Sequence, residues 1–262
     1  MPKKVRADVL VHVRGLCESR SKAQALILAG EVVAGDHRVE KPGQLLPDDT
    51  PLRLKSGAPG SPEAAELRYV SRGGLKLEKA LDEFKLSPAG LTCCDLGAST
   101  GGFTDVLLQR GAVRVHAVDV GYGQLHPRLR ADPRVVVHER VNARHLSPAL
   151  LGGERCNCAV ADLSFISLRL VLPALVSVLA PGGFCAVLVK PQFEAGRAEV
   201  GKGGVVRDPA VHARVVAEVE ASLRALGLTT LGACESPIVG PAGNREFLVA
   251  ARLGQDPGQG AA

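Results

Sequence analysis

The stretch Asp95-Leu-Gly-Ala-Ser-Thr-Gly-Gly-Phe103 constrains the fold more than any other part of the chain. It follows a short apolar run, Leu91–Asp95, and precedes a helical pattern near Phe103–Arg110. A glycine-rich turn between a buried strand and a helix lets the backbone bend sharply and approach a ligand closely. The alternation then recurs. Val113–Asp119, Val135–Glu139 and Cys158–Asp162 read as the second, third and fourth strands. A helix is expected near Leu168–Leu179, ended by Pro181-Gly-Gly, and Phe184–Lys190 reads as the fifth strand. A long helix, Pro209–Leu226, leads to the last two strands, Leu228–Glu235 and Glu246–Leu253. Such alternation implies an α/β fold, a mostly parallel sheet with helices on both faces.

The glycine spacing narrows the ligand. Gly97 is followed by Ala98, Ser99 and Thr100 before Gly101-Gly102, so this is not Gly-x-Gly-x-x-Gly. A dinucleotide fold wants the tighter spacing to seat a pyrophosphate on the helix N-terminus. The looser loop suits a nucleoside without phosphates, such as S-adenosylmethionine. Asp119 ends the next strand, 22 residues after Gly97. A carboxylate there can accept hydrogen bonds from both ribose hydroxyls. Asp119 alone is explained as well by an exposed strand end; with the loop, at this spacing, it marks a cofactor site.

Hydrophobic residues make up 46% of the 262 and charged residues 23%, which supplies a core and excludes wholesale disorder. With 6 Phe, 2 Tyr and no Trp, cores must come from Leu, Val and Ala. A surface working mainly by aromatic stacking is not expected. The 7 cysteines are odd in number and include no Cys-x-x-Cys pair, which fits neither a disulfide framework nor a zinc ribbon. They suit a reducing cytosol. The N-terminal segment carries charges throughout and no signal-peptide core, and the longest apolar stretch, Leu170–Ala180, is too short to span a bilayer. Neither a membrane nor a metal is expected as a partner.

The formal net charge is +5, and +3 of it falls in residues 1–60. That end is therefore expected to face an anion. Two short helices fit there, Ala7–Arg14 and one near Arg20–Ala29 capped by Ser19, followed by a hairpin about Gly35-Asp36. Arg20 and Lys22 sit in the first turn, where cations oppose the helix dipole. A phosphate held at that N-terminus explains the placement. The boundaries expected are 1–55 for this module, 56–67 for a Gly/Pro/Ser/Ala-rich linker, 68–254 for the α/β domain and 255–262 for a disordered tail.

Several motifs carry a family resemblance. DLGASTGGFTDVLL resembles motif I of the FtsJ/RrmJ ribose 2′-O-methyltransferases. SRGGLKLEKAL, VDVGYGQL, VNAR, ADLSFISL, VLVKPQFE and GNREFLVAARL extend the resemblance to the TlyA family of ribosomal RNA 2′-O-methyltransferases, also labelled hemolysin A. Residues Arg6–Leu54 resemble the S4 RNA-binding domain, with Ala34 and the Gly35-Asp36 turn departing from its pattern. The resemblance implies a Rossmann-like methyltransferase fold of seven strands, the last antiparallel, preceded by a small α+β S4-type domain. It implies a cytoplasmic enzyme, expected to be monomeric, methylating cytidine ribose in 16S and 23S ribosomal RNA or in ribosomal subunits.

The resemblance also implies a catalytic Lys-Asp-Lys-Glu set, which maps onto Lys76, Asp162, Lys190 and Glu246. In-line placement of a hydroxyl and control of its proton are what such a transfer needs. Lys190 is assigned the hydroxyl proton, Asp162 the positioning of Lys190, and Lys76 and Glu246 the orientation of the ribose. The cofactor is expected on Asp95, Gly97, Ser99, Gly101, Gly102, Phe103, Asp119, Val120, Asn142, Ala143 and Asp162. RNA is expected on Arg6, Arg14, Ser19, Arg20, Lys22, Gln24, Lys41 and Arg72, with Arg72 equally able to pin the domain boundary and Arg68 and Tyr69 sharing that ambiguity. Asp162-Leu-Ser-Phe is not the segment of amino-methyltransferases, and no Pro-Cys pair serves carbon-5 methylation. An RNA-binding factor without catalysis and a membrane-lytic protein are the competing readings. The few rings imply that charge and backbone shape, rather than base stacking, position the nucleotide.

Overall fold

The computed structural model describes residues 4–17, 19–28, 30–35, 37–54, 68–240 and 242–255. The expected linker at 56–67, Asp36 and all but the first residue of the expected tail lie outside them. The chain divides into two compact units, Met1–Arg68 and Tyr69–Ala262.

In the first unit, β1 (Lys4–Arg6) runs into α1 (Ala7–Val13), and α2 (Arg20–Leu28) follows. The Ser19 hydroxyl accepts from the Lys22 amide at 3.2 Å, the cap the sequence implied. The expected hairpin forms from β2 (Val32–Ala34) and β3 (His37–Arg38). Three strands were not legible, β1, β4 (Leu45–Pro47) and β5 (Leu52–Leu54): β4 pairs with β1, and β5 pairs with β2. Strands of three residues are too short for a period of two to show. Ala7, Leu10, Val11, Ala23, Ile27 and Val32 form the small core between helices and strands.

The second unit holds a seven-stranded sheet in the order β11-β12-β10-β9-β6-β7-β8. Its strands are β6 (Thr92–Leu96), β7 (Arg114–Asp119), β8 (Val135–Glu139), β9 (Cys156–Ala161), β10 (Leu179–Val189), β11 (Leu228–Glu235) and β12 (Phe247–Leu253). Only β12 is antiparallel to its neighbours. One face packs on α3 (Gly74–Glu83) and α4 (Gly102–Gln109), and the other on α6 (Leu172–Ser177) and α8 (Pro209–Ala225). Two single-turn helices, α5 (Pro127–Arg130) and α7 (Pro191–Glu194), complete the set. The chain goes from β6 outward to β7 and β8, then returns to β9 on the other side of β6. That reversal makes a crevice at the carboxyl ends of β6 and β9, the place where open α/β sheets bind ligands.

Two expectations need correction. Pro181-Gly182-Gly183 does not separate a helix from a strand; it lies inside β10, where Leu179 pairs with Cys156 but Phe184 with Cys158. The surplus residues bulge because Pro181 has no N–H to give and Gly182 takes φ +74°. The helix expected over 168–179 is a 3₁₀ turn, Leu168–Leu170, followed by α6, with Pro173 near its start. The cysteines behave as small hydrophobes: Cys17, Cys93, Cys94, Cys156, Cys158 and Cys185 are buried free thiols.

One buried carboxylate organises the first unit. Asp8 has no exposed surface and accepts from Arg6 Nε and Nη2 at 3.0 Å, Arg20 Nε at 3.0 Å and Gln24 Nε2 at 2.9 Å. The Arg6 guanidinium, opposed by burial and helped by Gln24 and Arg20, holds its carboxyl well below the usual carboxylate range. A depressed folded pKa adds stability that is present above the unfolded carboxylate's value and fades as pH falls below it. Asp8→Asn is therefore expected to lower the urea midpoint of this unit at pH 7 and to lose that deficit progressively below about pH 4. Amide NMR signals of Ala7–Leu54 during urea titration at both pH values would check it.

Candidate functional site

The crevice is built by close backbone approach. Gly97 follows β6 with φ +82°, and a Cβ there would sit 2.4 Å from the Asp162 carbonyl oxygen that follows β9. Any larger residue would push the two strand ends apart. Ser99 also takes a positive φ, and its amide donates to Asp119 Oδ2 at 2.8 Å. Gly121 N donates to Asp119 Oδ1 at 2.7 Å. Each carboxylate oxygen keeps a second lone pair for a ligand hydroxyl. A Cβ at Gly102 would meet Ser71 Oγ at 2.5 Å and Gly74 N at 3.0 Å, so this glycine lets the start of α3 lie against the start of α4.

That approach brings Lys76, on α3, to the sheet edge. Lys190 follows β10, and Glu246 precedes β12. Lys190 Nζ lies 2.6 Å from Asp162 Oδ1 and donates to Ser164 Oγ at 2.9 Å. Lys76 Nζ lies 3.7 Å from Asp162 Oδ2 and 2.7 Å from Glu246 Oε2. The four groups form one alternating chain, Lys190, Asp162, Lys76, Glu246, that carries no net charge. Lys76, Lys190 and Glu246 are buried and Asp162 is half-buried. Charges this far from water hold their places only when paired in this way. Glu246 is steadied by its backbone carbonyl, which accepts from Ser236 N, and by the neighbouring turn that buried Asn244 ties to Val206 N and Gly204 O.

Two clefts meet at Gly97, Ser99, Asp162 and Ser164. The larger, about 520 Å³, runs past Asp119, Val120, Asn142, Ala143, Leu163 and Ile166. The smaller, about 240 Å³, contains Ser71, Gly102, Phe103 and all four charged residues.

The FtsJ-like methyltransferase family matches residues 69–253, and the S4 domain matches residues 5–49. The chain belongs to the FtsJ-like methyltransferase family. Among its relatives, the 16S/23S rRNA (cytidine-2′-O)-methyltransferase TlyA of Mycobacterium tuberculosis is 47% identical over 256 residues, covering 98% of this chain and 92% of that protein. Hemolysin A of Brachyspira hyodysenteriae is 39% identical, covering 93% and 98%. A solved structure from Streptococcus thermophilus that carries the hemolysin name is 45% identical, with TM-score 0.71 over 99% of this chain and 93% of that one. As in other FtsJ-like chains, an S-adenosylmethionine-dependent methyltransferase fold is present: seven strands, mostly parallel, with the last antiparallel.

Of the residues the sequence singled out, Gly97, Ser99, Asp119, Val120, Asn142, Ala143 and Asp162 line the larger cleft, and Gly102 and Phe103 the smaller. Asp95 and Gly101 line neither. Asp95 is fully buried, accepts from Thr104 Oγ1 at 2.6 Å, and its Oδ1 has no hydrogen-bond partner among the described residues. Gly101 turns the chain into α4 at φ +98°. In the first unit, Arg6, Arg20 and Gln24 converge on Asp8, so the cation in the first turn of α2 has an internal partner and needs no phosphate to explain it. Arg14 donates to the carbonyls of Asp48 and Thr50. Lys22, Lys41 and Arg72 are exposed, with no side-chain partner among the described residues.

Sequence reasoning missed Ser164 and Phe165. Phe165 is 91% exposed, takes φ +63°, and its ring lies 5.2 Å from that of Phe193. With Asp162 and Ser164 it lines the larger cleft, so a ring does stand at that cleft. Its sequence signal was its place three residues after Asp162.

Burial pushes the Asp95 carboxyl up to about 7, with the Thr104 hydroxyl opposing and the Asp162 charge adding. A raised folded pKa for an acid favours the folded state below the unfolded value and costs stability as pH rises from about 4 toward 7. Asp95→Asn should flatten that limb of the stability profile, which thermal melts between pH 4 and pH 8 would read.

Proposed function

We propose that this chain transfers a methyl group from S-adenosylmethionine to the 2′-hydroxyl of a cytidine in ribosomal RNA, as the name of its Mycobacterium tuberculosis relative describes for that protein. The alternating chain Lys190–Asp162–Lys76–Glu246, opening beside the cofactor loop, carries this reading. The residues present fit the cofactor. Gly97 and Ser99 line the larger cleft, Asp119 offers spare lone pairs to a ribose, and Val118, Val141 and Ile166 give that cleft an apolar wall. The bound cofactor supplies an electrophilic methyl group.

The protein's own task is placement and proton control. Asp162 and Ser164 fix the Lys190 amine in one direction, facing the smaller cleft. There Lys190 Nζ takes up or holds the hydroxyl proton, while Lys76 and Glu246 bracket the ribose. Phe165 is a strongly exposed ring on the larger cleft, next to Ser164 where the two clefts meet, and base–aromatic stacking contributes about 1–3 kcal/mol per base. Lys22, Lys41 and the free donors of Arg6, Arg14 and Arg20 give the S4 domain a cationic surface for phosphates. A cytosolic setting, where ribosomes and reduced thiols are both found, fits the substrate and the free cysteines.

Tritiated methyl transfer to purified ribosomal subunits, followed by ribose-methyl mapping, tests the reading. Incorporation at a cytidine 2′-oxygen is expected, and no incorporation into either subunit would overturn it. Lys190→Ala should lower kcat by about 10²–10⁴-fold, the usual range for a lost proton-transfer group, while S-adenosylhomocysteine still binds. Phe165→Ala should lower kcat/KM for RNA by about 10–100-fold without changing cofactor affinity.

A further inference from the structure

Glu194 is an acid that packing alone does not explain. It ends the single-turn helix α7, four residues after Lys190, and is 6% exposed. Ala195, Ile166 and Leu168, close by in sequence or contact, belong to the apolar cluster on that sheet face. A carboxylate there costs stability unless its oxygens are engaged. Both are. Oε1 accepts from the Leu168 amide at 2.7 Å, and Oε2 from the Ser167 hydroxyl at 2.6 Å, with Arg169 Nε 3.8 Å away. Leu168 opens the 3₁₀ turn Leu168–Leu170, whose first amide needs an acceptor. Ser167, although it precedes the turn, makes no side-chain cap. The cap comes from another segment instead.

Those two bonds close a ring. At one end, Asp162 and Ser164 are fastened to Lys190. At the other, Ser167 and Leu168 are fastened to Glu194. Lys190 and Glu194 sit on one short segment, so the loop from Asp162 to Leu168 is strapped to it at both ends. Phe165 lies at the middle, exposed and in a left-handed conformation that a phenylalanine does not take unless its surroundings impose it. Phe193, the residue before Glu194, supplies the ring that backs it.

We infer that Glu194 is a positioning residue: by capping Leu168 and holding Ser167 it sets the strained loop that presents Phe165 to the target nucleotide. This rests on the methyl-transfer reading for its consequence in activity, but not for the loop geometry itself.

The full chain contains no Trp, so Phe165→Trp places a single fluorescent reporter on the loop. In that background Glu194→Ala is expected to lower the reporter's steady-state anisotropy and raise its quenching by acrylamide. Ser167→Ala, which opens little space and removes one of the two bonds, should shift both in the same direction by less. For methylation of ribosomal subunits, Glu194→Ala should lower kcat/KM for RNA by about tenfold, with S-adenosylhomocysteine affinity within about threefold of the parent. Residues acting through one another are non-additive, so the Phe165→Ala/Glu194→Ala double variant should lose no more than the worse single one. An unchanged anisotropy in both Glu194→Ala and Ser167→Ala, or activity losses that multiply in the double variant, would overturn the proposal. Should Glu194→Ala not fold, Ser167→Ala decides by the same readings. Should no variant or parent methylate RNA, the anisotropy and quenching still decide the positioning claim.

Discussion

The whole site depends on how closely the ends of β6 and β9 can come together. At the sheet's reversal point the backbone of Gly97 lies against the carbonyl of Asp162, nearer than any side chain permits. That contact fixes three things together. It sets the turn that points Ser99 N at Asp119, it divides the crevice into a larger and a smaller cleft, and it puts Asp162 on the wall between them. The alternating charges then follow from topology. β9 and β10 are parallel neighbours, so Asp162 and Lys190 leave the sheet side by side. β12 runs the other way, so its first residues, not its last, reach the same edge, and Glu246 arrives there from the opposite chain direction.

This explains why so much of the second unit was legible. The central strands β6, β9, β10 and β12 are buried over most of their length and read as apolar runs, and each charged residue of the set stands at the end or start of such a run. Lys76 is the exception, since it lies on a helix, and only the family motif around it gave its role. The sequence was less informative where geometry is set by bulges and short pieces. Pro181-Gly182-Gly183 carries the composition of a chain break, yet β10 absorbs it as a bulge because its neighbours pair on both sides of it. In the first unit β2 and β3 were visible only through the turn between them, and β1, β4 and β5, at three residues each, hold too little pattern to be seen.

Side-chain partners were harder still. A lysine or arginine in the first turn of a helix looks misplaced along the sequence, because the dipole there repels it. In space Arg20 meets Asp8, a residue twelve positions earlier that shows no sign of burial in its local pattern. Phe165 posed the reverse difficulty. The chain has 6 Phe, and composition cannot tell which ring the backbone will turn outward. A left-handed φ at a non-glycine residue is visible only in the fold.

Asp8, Asp162 and Glu194 share one physical device. Each is a carboxylate that draws donors from elsewhere in the chain: three side chains on Asp8, two lysines on Asp162, an amide and a hydroxyl on Glu194. An apolar residue in any of these places would pack at lower cost but would fix no direction, since dispersion is indifferent to rotation while a hydrogen bond weakens steeply as it bends. A reaction that transfers one carbon along a line needs direction more than it needs extra stability. The carboxylates nearest the reacting groups are accordingly the ones whose partners are themselves chemical or recognition groups, Lys190 for Asp162 and the Phe165 loop for Glu194. Asp8, in the other unit, gathers Arg6 and Arg20, so that under the proposed reading these two would meet a phosphate already aimed rather than freely rotating.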